Sequence, residues 1–256
     1  MISCKLKGGL GNQLFQISAT YSLAKENNDE DCYKFEESEL YLQGKRANTY
    51  LDTIYKKFKN KKCNNINFDN FYHEQKHSYD LIEYKPNLLI EGYFQSEKYF
   101  INFKDEILNL FDLEDKKEQC LKFLSKFDKP ITSIHIRRGD YLPLSHIFKI
   151  LDIEYYNKAM ELFPGHHFLI FSFDKDEWIY ENFKGENFTF VDFNDEVLDF
   201  TCMSLCDNNI IANSTFSWWA SYLNKNKNKK IISPKTWFSM NGVDESDIIP
   251  NDWITI

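Results

Sequence analysis

Arginine is scarce in this chain. Of 256 residues 31 are basic, and only Arg46, Arg137 and Arg138 are arginines; lysine supplies the rest. Set against 39 acidic residues, the formal charge is −8. That balance excludes a broad basic platform for nucleic acid and leaves room only for a local cationic site. Long apolar runs are also missing. None approaches the roughly 20 residues of a membrane-spanning helix, and Met1 to Gly9 lack the apolar stretch of a secretion signal. A cytoplasmic protein is expected, compatible with peripheral association at the inner face of the membrane. Cysteine is sparse, with six in all. Cys202 and Cys206 would share a helix face, but no histidine lies close in sequence to complete a zinc set, so packed thiols are expected. Without a secretion signal, Asn-Phe-Thr at Asn187 and Asn-Ser-Thr at Asn213 carry little weight as glycosylation sites.

What is present suits a folded enzyme-sized chain. Apolar residues make up 43% and charged residues 27%, outside the range of disordered proteins. The length fits one to two domains. Ile2 to Leu6 reads as a strand, Gly8 to Gly11 as a turn, and Asn12 to Ala24 as a helix. Residues 31 to 88 have weak periodicity. Leu88 to Glu91 reads as a strand, Tyr99 to Leu110 as a helix, and Glu114 to Phe127 as an amphipathic helix with Cys120, Leu121, Leu124 and Phe127 on one side. Strands are then expected at Ile131–Ile136, His167–Phe173, Phe188–Val191, Ile210–Ala212 and Ile231–Ser233. Helices are expected at Glu154–Leu162, Glu196–Cys206 and Phe216–Leu223. The Asn- and Lys-rich stretches 59–67 and 224–230 read as solvated loops. Regular alternation implies an α/β protein with mainly parallel sheets, divided into domains 1–128 and 129–256.

Ligands of open α/β sheets bind beyond the carboxyl ends of strands. Gly8-Gly9-Leu10-Gly11-Asn12-Gln13 is one such segment, either a ligand loop or a tight turn; it lacks the spacing of dinucleotide and ATPase phosphate loops. His135-Ile136-Arg137-Arg138-Gly139-Asp140-Tyr141 is the second. His135 and Arg137 point to one side of the strand. Guanidinium groups suit phosphate because they offer paired donors in fixed geometry; the alternative is a structural Arg–Asp140 pair. The third is Ala212-Asn213-Ser214-Thr215, which either caps the following helix or offers its free N–H groups to a phosphate. Trp218 and Trp219 follow on that helix, and at least one should pack in the core. Asp174, after Phe171-Ser172-Phe173, either reaches a base or ribose or caps the helix around Trp178.

Taken together and in this order, these segments resemble the bacterial α-1,2-fucosyltransferases of glycosyltransferase family 11. The resemblance runs over nearly the whole length. It rests on Lys7 through Gln13 with Phe15-Gln16, Glu91 through Phe100, His135 through Tyr141, Phe171 through Asp174 with Trp178, and Asp199 through Trp219. It implies a GT-B-like fold, two Rossmann-like domains facing a cleft. It also implies inverting transfer of L-fucose from GDP-β-L-fucose to O2 of a terminal β-galactoside, as in an O-antigen unit, with no metal or other cofactor. The partners would be GDP-fucose, held mainly by the C-terminal domain, and a β-galactoside glycan on the N-terminal side.

Carried onto this chain, the resemblance makes Arg137 the diphosphate ligand, with Arg138 and Asp140 shaping the donor site. His135 would contact the donor or its loop. Asn213, Ser214 and Thr215 would complete the diphosphate site, and Asp174 would help place the nucleotide. Asn12 would lie near the acceptor. Glu91, Asp140 and His135 are candidates for the proton acceptor. The chain departs from the family at Asp207, where relatives commonly carry a basic residue, and at Ser172-Phe173-Asp174 in place of Ser-Asp-Asp. A carboxylate at 207 would oppose a nearby diphosphate. The alternatives are a fucosyltransferase of another linkage, a non-catalytic nucleotide-sugar or glycan-binding relative, and a plain α/β protein with structural Arg pairs.

Overall fold

The computed structural model describes residues 1–39, 45–63, 66–111, 113–174 and 176–256. They form two units, the first from Met1–Leu113 with Gly242–Pro250, the second from Glu114–Asn241 with Asn251–Ile256.

The first unit begins with β1 (Ile2–Cys4), α1 (Leu10–Glu26) and β2 (Asp31–Tyr33), and later adds β3 (Asn70–His73), β4 (Leu88–Glu91) and the short α2 (Lys104–Leu110). The strands are parallel in the order β2-β1-β4-β3. All of β1 is buried, as expected of a central strand covered on both faces. Helix α1 is buried on nearly every side, and several of its polar side chains bond back to the backbone. Ser18 and Thr20 return their hydroxyls to the carbonyls of Leu14 and Gln16, both at 2.7 Å. The Gln16 amide ties the Lys7 and Gly92 backbones to the helix.

Residues 31–63 gave little periodicity for a physical reason. Within the described part they run in short 3-10 turns, Phe35–Glu37, Ala47–Tyr50 and Lys56–Lys61. An aromatic cluster of Tyr33, Phe35, Tyr55, Phe58 and Phe111 holds them, with ring centroids 5.6–6.4 Å apart. Such packing needs no regular spacing. Arg46 serves the same region, its guanidinium donating to the carbonyls of Glu36 and Ser38 at 3.3 Å each. The helix expected over Tyr99–Leu110 is shorter: 3-10 turns at Glu97–Tyr99 and Ile101–Phe103 precede α2.

The second unit contains α3 (Glu114–Leu124), β5 (Ile131–His135), α4 (Ile153–Met160), β6 (His167–Phe171), α5 (Glu177–Asn182) and β7 (Phe188–Val191). It continues with α6 (Glu196–Ser204), β8 (Asn208–Ile210), α7 (Thr215–Tyr222), β9 (Ile231–Ser233) and β10 (Ile254–Thr255). The six parallel strands lie in the order β7-β6-β5-β8-β9-β10. Counted within the unit this is 3-2-1-4-5-6, the doubly wound Rossmann order. Ile134, Tyr156, Ala159, Phe183, Ile210 and Ile232 anchor its core. All six cysteines are buried free thiols.

Several expectations change. Helix α3 packs on α6, with Cys120 Sγ 3.6 Å from the Leu198 carbonyl and Lys116 2.6 Å from Asp195. It therefore belongs to the second unit, and the division falls at 113/114 rather than 128/129. Leu121 of α3 is 48% exposed rather than packed. Strand β8 begins two residues earlier than expected because Asn208 and Asn209 are in it. Asn209 is fully buried, and its amide donates to Ser133 Oγ and the Met203 carbonyl and accepts from Asn224. A satisfied polar network replaces an apolar strand there. Asn224, expected in a solvated loop, is buried by that network. Trp218 and Trp219 are both fully buried.

Candidate active site

In the second unit β5 and β8 are neighbours although the chain runs outward in opposite directions from them. That is the switch point where doubly wound sheets bind ligands. Arg137 follows β5, and Asn213 and Ser214 follow β8. Arg137 donates through one terminal nitrogen to Asp140 Oδ2 at 2.5 Å. Its guanidinium lies 5.3 Å from the centre of the Tyr141 ring, and the Tyr141 hydroxyl donates to the Asn213 carbonyl at 3.2 Å. One chain of contacts thus links the two strand ends. Arg137 Nε, Asp140 Oδ1 and Asn213 Oδ1 are buried with no hydrogen-bond partner among the described residues. Unpaired buried polar atoms are costly, and three of them converge on one strand-end site.

Arg138 is spent differently. It lies over the Trp178 ring, 3.9 Å from its centre, and donates to Asp176 at 3.3 Å and to the Leu151 carbonyl at 3.5 Å. Asp176, not Asp174, caps α5 by accepting from the Trp178 N–H. Asp174 instead turns back under the arginine loop. Its Oδ2 accepts the backbone N–H groups of Arg138 at 3.2 Å and Gly139 at 2.6 Å. A Cβ on Gly139 would stand 2.5 Å from Asp174 Cγ and overlap the carboxylate. Close approach, not a positive φ, requires glycine there. Phe173, beside it, is 75% exposed.

His135 is buried at the end of β5, its Nδ1 2.9 Å from Ser217 Oγ in the first turn of α7. Burial, reinforced by the Arg137 charge, pushes its imidazole down to about 3. A neutral ring of such low basicity is a poor proton acceptor. Ser214 occupies the N-cap position of α7 without a side-chain cap bond. The Asn213 amide reaches the carbonyls of Lys149 and Trp237 at 2.9 and 2.7 Å. Neither side chain caps the helix, and Thr215 opens its first turn, where N–H groups have no intrahelical acceptor.

In the first unit the corresponding switch point lies between β1 and β4. Gly8 takes φ +81, and a Cβ there would meet Asn12 Nδ2 at 2.5 Å. Asn12 Oδ1 accepts from the Gln95 side-chain amide at 2.9 Å. Glu91 is engaged by Lys5 and Lys7 at 3.5 and 3.6 Å. A residue with no spacing signal, Glu74, holds the turn after β4: its two oxygens accept the N–H groups of Tyr93 and Phe94.

Asp207 is not at the strand ends that carry Arg137. Its carboxylate accepts the Ile131 N–H at 2.7 Å, and its own N–H donates to the Ile131 carbonyl at 2.9 Å. Ile131 opens β5 and Arg137 lies beyond its close, so the two sit at opposite ends of the sheet. The carboxylate expected to oppose a diphosphate is instead a tie between strand starts.

The model of the family "Glycosyl transferase family 11" matches residues 1–256. The chain belongs to that family. The transferase is 28% identical to the O-antigen biosynthesis glycosyltransferase WbnK of Escherichia coli, over 100% of both chains. It is 27% identical to an α-1,2-colitosyltransferase of Escherichia coli, over 100% of this chain and 99% of that one. Human galactoside α-(1,2)-fucosyltransferase 1 is 30% identical over 54% of this chain and 43% of its own. Among solved structures, the NodZ α-1,6-fucosyltransferase of Bradyrhizobium superposes with TM-score 0.52 at 10% identity, over 87% of this chain and 92% of that one. POFUT1 in complex with GDP superposes with TM-score 0.53 at 13% identity, over 91% and 96%. These likenesses bear out the GT-B-like α/β fold. Among the described residues of the transferase, no helix is long and apolar enough to cross a membrane.

Proposed function

We propose that this transferase moves L-fucose from GDP-β-L-fucose to O2 of a terminal β-galactoside, with inversion, on a glycan such as an O-antigen unit. The observation that carries the donor assignment is the unspent hydrogen-bonding capacity at the β5–β8 switch point: Arg137 Nε, Asn213 Oδ1 and the uncapped start of α7. Arg137 and the α7 N–H groups bind the diphosphate and stabilise the charge that the leaving GDP acquires. That arrangement needs no divalent metal. Asp140 orients the guanidinium through Oδ2 and keeps Oδ1 for the proton of the acceptor hydroxyl. That hydroxyl oxygen forms the bond to the fucosyl carbon as the bond to the phosphate oxygen breaks. Arg138 and Asp174 act beneath the site, fixing the loop that carries Arg137. The first unit's loops, with Asn12 and Gln95, take the acceptor.

The test is incubation with GDP-fucose and a panel of β-galactosides, with and without a chelator, followed by GDP release and NMR of the product. Chelator-insensitive α-1,2 fucosylation is expected; no transfer across the panel and no binding of GDP would reject the reading. A second reading, colitose as the transferred sugar, is favoured by the full-length likeness to the α-1,2-colitosyltransferase. Presenting both donors in competition separates the two.

A further inference from the structure

We infer that Glu74 is a positioning residue for acceptor binding: its carboxylate sets the shape of residues 92–95, and so the placement of Gln95 against Asn12. This inference rests on assigning the first unit's loops to the acceptor.

Glu74 follows edge strand β3, and its N–H extends the ladder by donating to the Glu91 carbonyl at 2.8 Å. That register carries its side chain over the start of the next loop. Oε2 accepts the Tyr93 N–H at 2.6 Å and Oε1 the Phe94 N–H at 2.9 Å. Both oxygens are therefore committed, one to each successive amide. Phe94 holds φ +53, a left-handed conformation costly for an aromatic residue. Its buried ring packs on Tyr72 and Tyr99, with centroids 6.4 and 5.3 Å away. Two charge-assisted hydrogen bonds and this packing hold the bend. The next residue, Gln95, is thereby aimed at Asn12 at 2.9 Å. Gly92 completes the device, since a Cβ there would stand 2.5 Å from Glu74 Cβ. Lys7 lies 4.8 Å from the centre of the Tyr93 ring. The loop therefore brings together an aromatic ring and two side-chain amides, the groups that recognise a sugar's apolar face and its hydroxyls.

The same construction recurs in the second unit. Asp174, also beyond the end of a neighbouring strand, accepts two successive backbone N–H groups of the loop that carries Arg137, and again a glycine makes room for it. A carboxylate beneath a strand-end loop is thus a repeated element here, and Glu74 is its acceptor-side copy.

The experiment uses the full chain carrying Glu74→Gln, with Gly92→Ala as a second variant that displaces the carboxylate without removing it. Three quantities are read: GDP affinity by calorimetry, acceptor KM and kcat on a galactoside the parent fucosylates, and amide hydrogen exchange at Tyr93 and Phe94. Expected are GDP affinity within twofold of the parent, an acceptor KM raised ten- to fiftyfold with kcat much less changed, and faster exchange at both amides. An acceptor KM within twofold of the parent, unchanged exchange, or a joint fall in GDP affinity and acceptor affinity overturns the inference. If the parent itself transfers to no acceptor while the exchange change is present, the fault lies in the acceptor assignment and not in the role of Glu74 in shaping the loop.

Discussion

Glu74 in the first unit and Asp174 in the second grip their loops in different ways. Glu74 gives one oxygen to each N–H; Asp174 takes both N–H groups on Oδ2 alone. An amide side chain keeps one acceptor oxygen and exchanges the other for a donor. It can reproduce the single-oxygen grip but not the two-oxygen grip. The chemically identical change, carboxylate to amide, should therefore be mild beneath the arginine loop and damaging beneath the loop of residues 92–95.

The largest expected effect asks whether the arginine loop matters for the donor. If Arg137 grips the diphosphate as proposed, Arg137→Ala removes a charge-assisted contact of about 3–4 kcal/mol, so GDP affinity by calorimetry should fall between a hundred- and a thousandfold. Unchanged affinity would remove the reason for comparing the loops. Gly139→Ala comes next. It leaves Arg137 in place but drives a methyl group into the Asp174 carboxylate, and GDP affinity should fall by about thirtyfold or more, roughly 2 kcal/mol for two lost N–H bonds. Asp174→Asn is milder, with GDP affinity within about fivefold of the parent because one oxygen still serves both amides. A loss as large as that of Gly139→Ala would break the comparison.

A separate effect is on stability. Asp199 in α6 shows what a carboxylate with fewer donors faces. One oxygen accepts the Phe193 N–H, and Oδ1 has no partner among the described residues. Burial first, then the charges of Asp192, Asp195 and Glu196, push its carboxyl from 3.8 up to about 7. Its folded value lies above its unfolded one, so its stabilising contribution is complete below about pH 4 and is lost as pH rises through 7. Asp199→Asn should raise stability by about 1–2 kcal/mol at pH 8 and by nothing near pH 4, read from denaturant melts at both. Glu74, with two donors, is also raised by burial.

What the sequence made legible follows from the range of each interaction. Strands at Leu88–Glu91, Phe188–Val191 and Ile231–Ser233 are found where apolar runs placed them, because a strand's burial is written in consecutive residues. The position of Arg137 at a strand end was legible for the same reason, and the scarcity of arginine drew attention to it. Asp174 was read as a nucleotide contact or a helix cap, but its partners lie 35 and 36 positions away. Glu74 had no signal, since its partners are 19 and 20 positions on, across a segment without periodicity. Gly92 and Gly139 follow strands, but only the folded chain shows that each needs no positive φ and instead makes room for a carboxylate. Arg46 was unreadable because the turns it joins are held by aromatic packing.

Residues 242–256 have a consequence for the order of events during synthesis. Gly242–Pro250 belongs to the first unit, where Asp247 accepts from the Tyr79 N–H at 2.9 Å and pairs with Lys98. The next six residues return to the second unit and supply β10, which closes its sheet beside β9. Neither unit has all its parts until this stretch has left the ribosome, so the first cannot finish folding while the second is still being made, contrary to the usual sequence for two-domain chains. A nascent chain paused before residue 242 would hold one unfinished sheet, that of the second unit, with β9 as an open edge.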